Sequence, residues 1–321
     1  MLTSQARRIT AAALVLLVAG IVRMPIEQSM TKDFREKGML SEPLDVKVQK
    51  KLGQGFWAVS LGGLRSLVAT IWNLRAFNDF ENDEWTQLAD KYETISYLAP
   101  NTDYYWDTGS WHMAYNAAAY YQARADGLPE LRRRAEWRHW IESGTAFLEE
   151  GVRQNPDSGY LWSRLGWLYS DPNKIVDAEK AAEAYRRAVE TGNALPFIGN
   201  SEAYALAQIP GREKEALDLI RERQKERRGQ VPTMNCLRFT LESRFNPDLD
   251  PYRLALEIFG SENSAYQQLG GHFLELRKNY PMNGIAEVLQ ELESRLEIPA
   301  ENSVFKQREH LENHPINPWQ R

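Results

Sequence analysis

The chain has 321 residues, 43% hydrophobic and 26% charged, the ordinary balance of a folded protein with one or two domains. A formal charge of −5 and the lack of any basic tract interleaved with aromatics exclude a general nucleic-acid binder. Cys236 is the single cysteine, which excludes an intrachain disulfide but says nothing of compartment.

The first element is "ITAAALVLLVAGIV", residues 9–22, fourteen residues without a charge between Arg7–Arg8 and Arg23. A membrane span wants about 20 residues. With Arg23 snorkelling and residues 24–26 joining the apolar run, residues 1–26 are predicted to form one uncleaved transmembrane anchor in a bacterial membrane. No small-residue cleavage pattern follows the run. Lys and Arg counts on the two flanks point to a cytoplasmic body, whereas a short-tailed signal anchor exports it. The expectation adopted is a body on the extracytoplasmic, periplasmic side.

Residues 27–54 read as a charged connector. Residues 56–74 carry only Arg65 as a charge. A mid-membrane arginine costs at least about 2.5 kcal/mol, so a helix packed in the body or lying on a membrane surface is preferred to a second span.

Residues 55–298 read as helical almost throughout, with apolar residues recurring at three and four positions and turns at the prolines. The fold class is therefore all-α. Leu88, Tyr92 and Ile95 form one such stripe, and Ala181, Tyr185 and Ala188 another; Ala216 and Ile220 mark a third, weaker one. Pro100 precedes Trp106 by six residues, and Pro156 precedes Trp162 by six. Each tryptophan opens a similar helix: Trp106-x2-Gly109-Ser110-x2-Met113 and Trp162-x2-Leu165-Gly166-x2-Tyr169. Residues 299–321 are expected to be an extended tail.

The second of these units, with its Ala-x3-Tyr-x2-Ala partner helix, resembles the tetratricopeptide repeat (TPR), though "SDPNK" makes its turn longer. The resemblance implies an irregular solenoid of helical hairpins. Trp106 and Trp162 lie 56 residues apart rather than one 34-residue period, so an insertion follows the first unit. In such hairpins Gly166 and Ser110 mark where the paired helix crosses, with Ala181 or Ala188 facing back. Residues 61–116 also resemble a group of bacterial single-pass membrane proteins with TPR-like bodies, a group that brings no assigned activity. Leu61-Gly62-Gly63-Leu64-Arg65, Ile71-Trp72-Asn73-Leu74-Arg75-Ala76, Pro100 with Trp106, and Trp111-His112-Met113-Ala114-Tyr115-Asn116 carry that resemblance.

The TPR resemblance implies a concave surface lined by first-helix residues between the packing positions: Tyr104, Asp107, Trp111 and Tyr115, then Tyr160, Ser163 and Trp167. Aromatic rings with a polar edge suit recognition of a peptide or helix. If inserted helices cover that face, Trp111 and Trp167 become core instead.

Chemistry-bearing motifs are sparse. His310 and His314 are four apart, but H-L-E-N-H lacks the glutamate that the zinc-protease motif puts directly after its first histidine. Asp79, Glu81, Asp83 and Asp90 have calcium-loop offsets, with Glu84 where the sharp turn needs glycine; acidic residues opening a helix is the plainer account. Arg132, Arg133, Arg134 and Arg138 suit an acidic partner or, more plainly, a solvated helix face. The expectation is a non-enzymatic scaffold or assembly protein with no cofactor, metal, small-molecule substrate or nucleic acid. It would meet the lipid bilayer through residues 9–26 and hold a protein or peptide in the aromatic groove. The alternative is an accessory structural subunit of a membrane enzyme or transporter complex.

Overall fold

In the computed structural model the described residues are 64–313, apart from 126, 227–228 and 276–279, together with 25, 29–30 and 32–33. The anchor expected at residues 1–26 and most of the connector lie outside them. Among the described residues no helix is long and apolar enough to cross a membrane. The chain divides into Met1–Val68 and Ala69–Arg321, and the description below concerns the second unit and the start of its first helix, residues 65–68.

That unit is all-helical, with no strand among the described residues. Helix α1 (Arg65–Glu81) ends in a turn where Asp83 takes a left-handed backbone, φ 56°. Asp79 and Glu81 thus close α1, whereas Glu84 is the cap residue that opens the next helix, so only the latter part of the acidic run opens one. Asp79, buried near the C-terminal end of α1, meets an unfavourable dipole there, and the ammonium of Lys91 on the next helix compensates it by an ion pair. Helix α2 (Trp85–Leu98) buries Leu88, Tyr92 and Ile95 in one stripe, as their spacing predicts, and Tyr92 donates its hydroxyl to Asn73 of α1 at 3.0 Å.

Two helical hairpins follow. In the first, α3 (Asp103–Trp111) passes through a π-helical segment (His112–Ala117) into α4 (Ala118–Ala123), and α5 (Glu130–Gln154) returns antiparallel to it. The approach is close because α5 carries Gly144-x3-Leu148-x2-Gly151. A methyl at Gly144 would lie 2.8 Å from the carbonyl of Ser110, and one at Gly151 would lie 3.0 Å from Trp106. Ser110 is thus at a helix crossing, with glycine as the small residue opposite. In the second hairpin, α6 (Gly159–Ser170) pairs with α7 (Ala178–Glu190). There Gly166 faces the ring of Tyr185, not Ala181 or Ala188 as expected: a methyl on Gly166 would sit 2.6 Å from that ring. Leu161, Leu165, Ala181, Tyr185 and Ala188 are all buried in the seam. The extra length between Trp106 and Trp162 resides in longer helices, since α5 alone has 25 residues against 13 in α7.

Proline carbonyls fix both first helices in the same way. Trp106 Nε1 donates to the carbonyl of Pro100 at 2.7 Å, and Trp162 Nε1 to that of Pro156 at 2.8 Å. At the other end of each hairpin an asparagine ties the return helix to the start: Asn155 Nδ2 donates to Pro100, and Asn193 Nδ2 to Asp157. Trp106 is buried, where an unpaired indole N–H would cost about 1–3 kcal/mol, while half-buried Trp162 makes the same bond nearer to solvent.

Helices α8 (Ile198–Leu206) and α9 (Glu213–Arg223) extend the same core with Ala216, Leu217 and Ile220. Helix α10 (Pro232–Phe245) joins α9 through a fork in which Arg221 donates twice to buried Glu242, at 3.0 and 2.7 Å. Its other face belongs to a second apolar cluster with α11 (Pro251–Phe259), α12 (Glu262–Leu274), α13 (Ile285–Arg295) and α14 (Val304–Asn313). The segment after Pro299 is not extended as far as Asn313. Val304 is buried, and Arg308 donates to the carbonyl of Phe273 at 2.9 Å, so packing overrides a polar sequence.

Candidate functional site

The surface of interest lies along α3 and α6. These helices run in the same direction, since Ser158 Oγ donates to Asp103 at 2.6 Å and, further along, Tyr160 and Arg164 reach Asp107. Tyr104 and Trp111 stand seven residues apart on α3, and Tyr160 and Trp167 seven apart on α6. At a rise of 1.5 Å per residue each pair is separated by about 10 Å along its helix. All four rings face solvent, at 57% and 42% exposure on α3 and 47% and 43% on α6. The helices that lengthen the first hairpin do not cover them.

Two clamps hold this surface in place. Asp107 accepts from the Tyr160 hydroxyl at 2.5 Å on one oxygen and from Arg164 Nε at 2.6 Å on the other. The Arg164 guanidinium in turn lies 5.1 Å from the centre of the Trp167 ring, a cation–π distance. Charge-assisted bonds of this kind are about twice as strong as neutral ones, so Asp107 fixes a tyrosine, an arginine and, through it, a tryptophan. In the second clamp the Lys174 ammonium lies 4.4 Å above the half-buried Tyr115 ring. Burial, followed by the neighbouring Asp107 carboxylate, pushes the Tyr160 phenol up to about 12. Burial, then the Asp171 carboxylate, does the same to Tyr115, up to about 12. Lys174 is shifted down, chiefly by burial.

Six of the seven expected residues thus line or fix one face. Ser163 does not belong to it. The residue is buried, and its hydroxyl donates to the carbonyl of Gly159 at 2.5 Å within α6. Arg164, Asp171 and Lys174 were not expected. Arg164 could have been found, because it is four residues from Tyr160 and three from Trp167 and so shares their face. Lys174 sits in the lengthened turn after α6, where no helical period places it.

An open polar cleft of about 500 Å³ adjoins the surface at Tyr160, lined also by Asp103, Asp157, Ser158 and Asn193. The serine in it is engaged twice in the fold: Ser158 donates to Asp103 and accepts from the Leu161 N–H as the helix cap. Among the described residues no three His, Cys, Asp or Glu side chains come together in a way that could hold a metal ion. His310 is exposed on α14, and His314 lies outside the described residues. Arg132 and Arg138 pair with Glu136 and Glu142 one turn on, as a solvated helix face does. Cys236 is buried, and burial pushes its thiol up to about 12, away from the thiolate form that reactive cysteines use.

No protein-family model matches the chain, and no curated protein matches it either.

Proposed function

We propose that this chain is a non-enzymatic, TPR-like scaffold that docks a partner protein or peptide on the aromatic face of α3 and α6. In this reading α3–α5 and α6–α7 are two units of one repeat, the first lengthened by several helical turns. The matched Pro–Trp bonds, the small residues at both crossings and the paired exposed Tyr and Trp support it. The chain would be held by a single anchor, residues 9–26, in a bacterial membrane, with the body on the extracytoplasmic side. The anchor would raise local concentration, and the preformed surface would do the recognising.

One observation carries the proposal. Four large rings stand exposed at matched positions on adjacent helices, and between them Asp107, Tyr160 and Arg164 bond to one another. Rigid rings lose little entropy on binding and dominate interface energies, and a pre-ordered surface reduces the ordering cost further.

The test is co-purification of the full chain from its native cells, with and without Trp111→Ala and Trp167→Ala. A specific partner should be lost with the double substitution and retained when residues 1–26 are deleted. A partner set unaffected by the double substitution, but lost with the anchor, would overturn the reading and favour the accessory-subunit alternative.

A further inference from the structure

Three cross-links set the register of α3 against α6. Ser158 to Asp103, Tyr160 to Asp107 and Arg164 to Asp107 join residues 55, 53 and 57 apart in sequence, so positions separated by that interval stand level on the two parallel helices. Tyr104 stands level with Tyr160, and Trp111 with Trp167. The four exposed rings therefore make two transverse rows, one of tyrosines and one of tryptophans. Seven residues of helix put the rows about 10 Å apart. Neighbouring rings steady both members on α3: Tyr104 meets Tyr105 edge-on at 5.5 Å, and Trp111 meets His112 at 5.3 Å.

The polar groups of this face are one-sided. Asp107, the carboxylate between the rows, already accepts on both oxygens. What remains for a ligand is donors. The exposed indole N–H groups of Trp111 and Trp167 make no hydrogen bond within the described residues, and the bond from Arg164 to Asp107 uses Nε and leaves the terminal nitrogens.

A complementary ligand brings acceptors without donors, and apolar groups repeating at about 10 Å. A polyproline II segment has both properties. It makes no internal hydrogen bonds, so its carbonyls are free, and a proline has no N–H. With three residues per turn and a rise of about 3.1 Å, prolines at i and i+3 lie on one side about 9 Å apart, one for each row. Other ligands fit less fully. An extended strand repeats a face about every 6.6 Å and carries an N–H with almost every carbonyl. An α-helix matches the repeat at seven residues, but its backbone carbonyls are satisfied internally. Sugar hydroxyls donate as well as accept, and the carboxylate between the rows is taken.

We infer, resting on the docking reading proposed above, that the occupant of this face is a proline-rich segment of a partner protein in polyproline II conformation. Prolines three residues apart sit on the tyrosine and tryptophan rows, and carbonyls accept from Trp111, Trp167 and Arg164.

The test titrates the full chain, in mild detergent, into fluorescein-tagged probes and follows their anisotropy. The first peptide has proline at every third position with alanine between. The second alternates proline and alanine, which seats proline on only one row at a time. The third is an amphipathic helix with leucines seven apart, and the fourth probe is a chito-oligosaccharide. The first peptide should bind several-fold more tightly than the others. Trp111→Phe and Trp167→Phe keep a ring but remove the N–H, and each should weaken that binding about two- to tenfold. Preferred binding of the helical peptide, lost with Trp111→Ala and Trp167→Ala, would overturn the proline-rich occupant and leave the docking face standing. Equal binding of both proline peptides, unchanged in the phenylalanine variants, would overturn it too. Tryptophan-dependent binding of the sugar alone would overturn the peptide reading with it. Binding of the first peptide only after deletion of residues 314–321 would replace the partner with the chain's own Pro315-x2-Pro318. If no probe binds, the proline-rich occupant is refuted, and co-purification with the alanine variants decides the docking reading by itself.

Discussion

Gly166 offers a quantitative check on the helix pairing, because two opposing effects can be weighed at it. In a helix interior, alanine is favoured over glycine by about 1 kcal/mol. Against that, a methyl at Gly166 would lie 2.6, 2.7 and 3.0 Å from three ring carbons of Tyr185. The ring has little room to yield, being 2% exposed with its hydroxyl 2.8 Å from Ser170 Oγ. Overpacking of this kind costs about 1–3 kcal/mol, so Gly166→Ala should range from neutral to about 2 kcal/mol less stable, and Gly166→Leu should be worse. Gly271 supplies the control. It is also helical, on α12, but a methyl there would meet nothing within 4 Å. Gly271→Ala should therefore gain up to about 1 kcal/mol. Urea denaturation of the full chain in mild detergent, followed by circular dichroism, measures both. If Gly166→Ala stabilised the protein as much as Gly271→Ala, the close crossing of α6 and α7 would be refuted.

Asp107→Asn should destabilise by about 1–2 kcal/mol in the same denaturation series, because it weakens the bonds to both Tyr160 and Arg164. Ultraviolet titration of the phenols should also find Tyr160 ionising below about 12 in that variant, since the Asp107 carboxylate is one cause of its raised value. In the parent, the unfolded phenol loses its proton near 10 and the folded one only near 12. The stability associated with Tyr160 is thus intact below pH 10 and lost as pH rises towards 12. His112 gives the opposite limb. Burial among Phe80, Tyr92 and Trp111 lowers its pKa from 6.5 to about 4. Between those values the unfolded chain binds a proton that the folded chain does not, so stability falls as pH drops through that window. His112→Gln should flatten that slope in melting temperatures measured from pH 7 to 4, and an unchanged slope would place the imidazole in water.

The helical class and the two main hairpin starts could be read from the sequence because their signals are local. The six-residue Pro–Trp spacing survives as an indole-to-carbonyl bond in both helices, and Ala181, Tyr185 and Ala188 are buried in the order their period implies. The partner of the first unit was harder to see. Helix α5 uses Gly144 and Gly151 where α7 uses alanines, and glycine carries no helical signal of its own. Asp79 was misplaced because an acidic cluster fits either end of a helix until Lys91 across the turn decides it. Ser163 failed for a related reason: a polar residue at a surface period can bond its own backbone and turn inward. The segment after Pro299 becomes helical only because Val304 and Arg308 have α12 to pack on, which its composition does not reveal.

The central claim is that the four exposed rings form a docking surface, and photo-crosslinking within living cells tests it most directly. A benzophenone amino acid placed singly at Tyr104, Trp111, Tyr160 or Trp167 should give the same discrete polypeptide adduct from all four positions. The exposed positions Lys225 and Asp248 should give none. Adducts absent from the four ring positions, or identical from Lys225 and Asp248, would contradict the account.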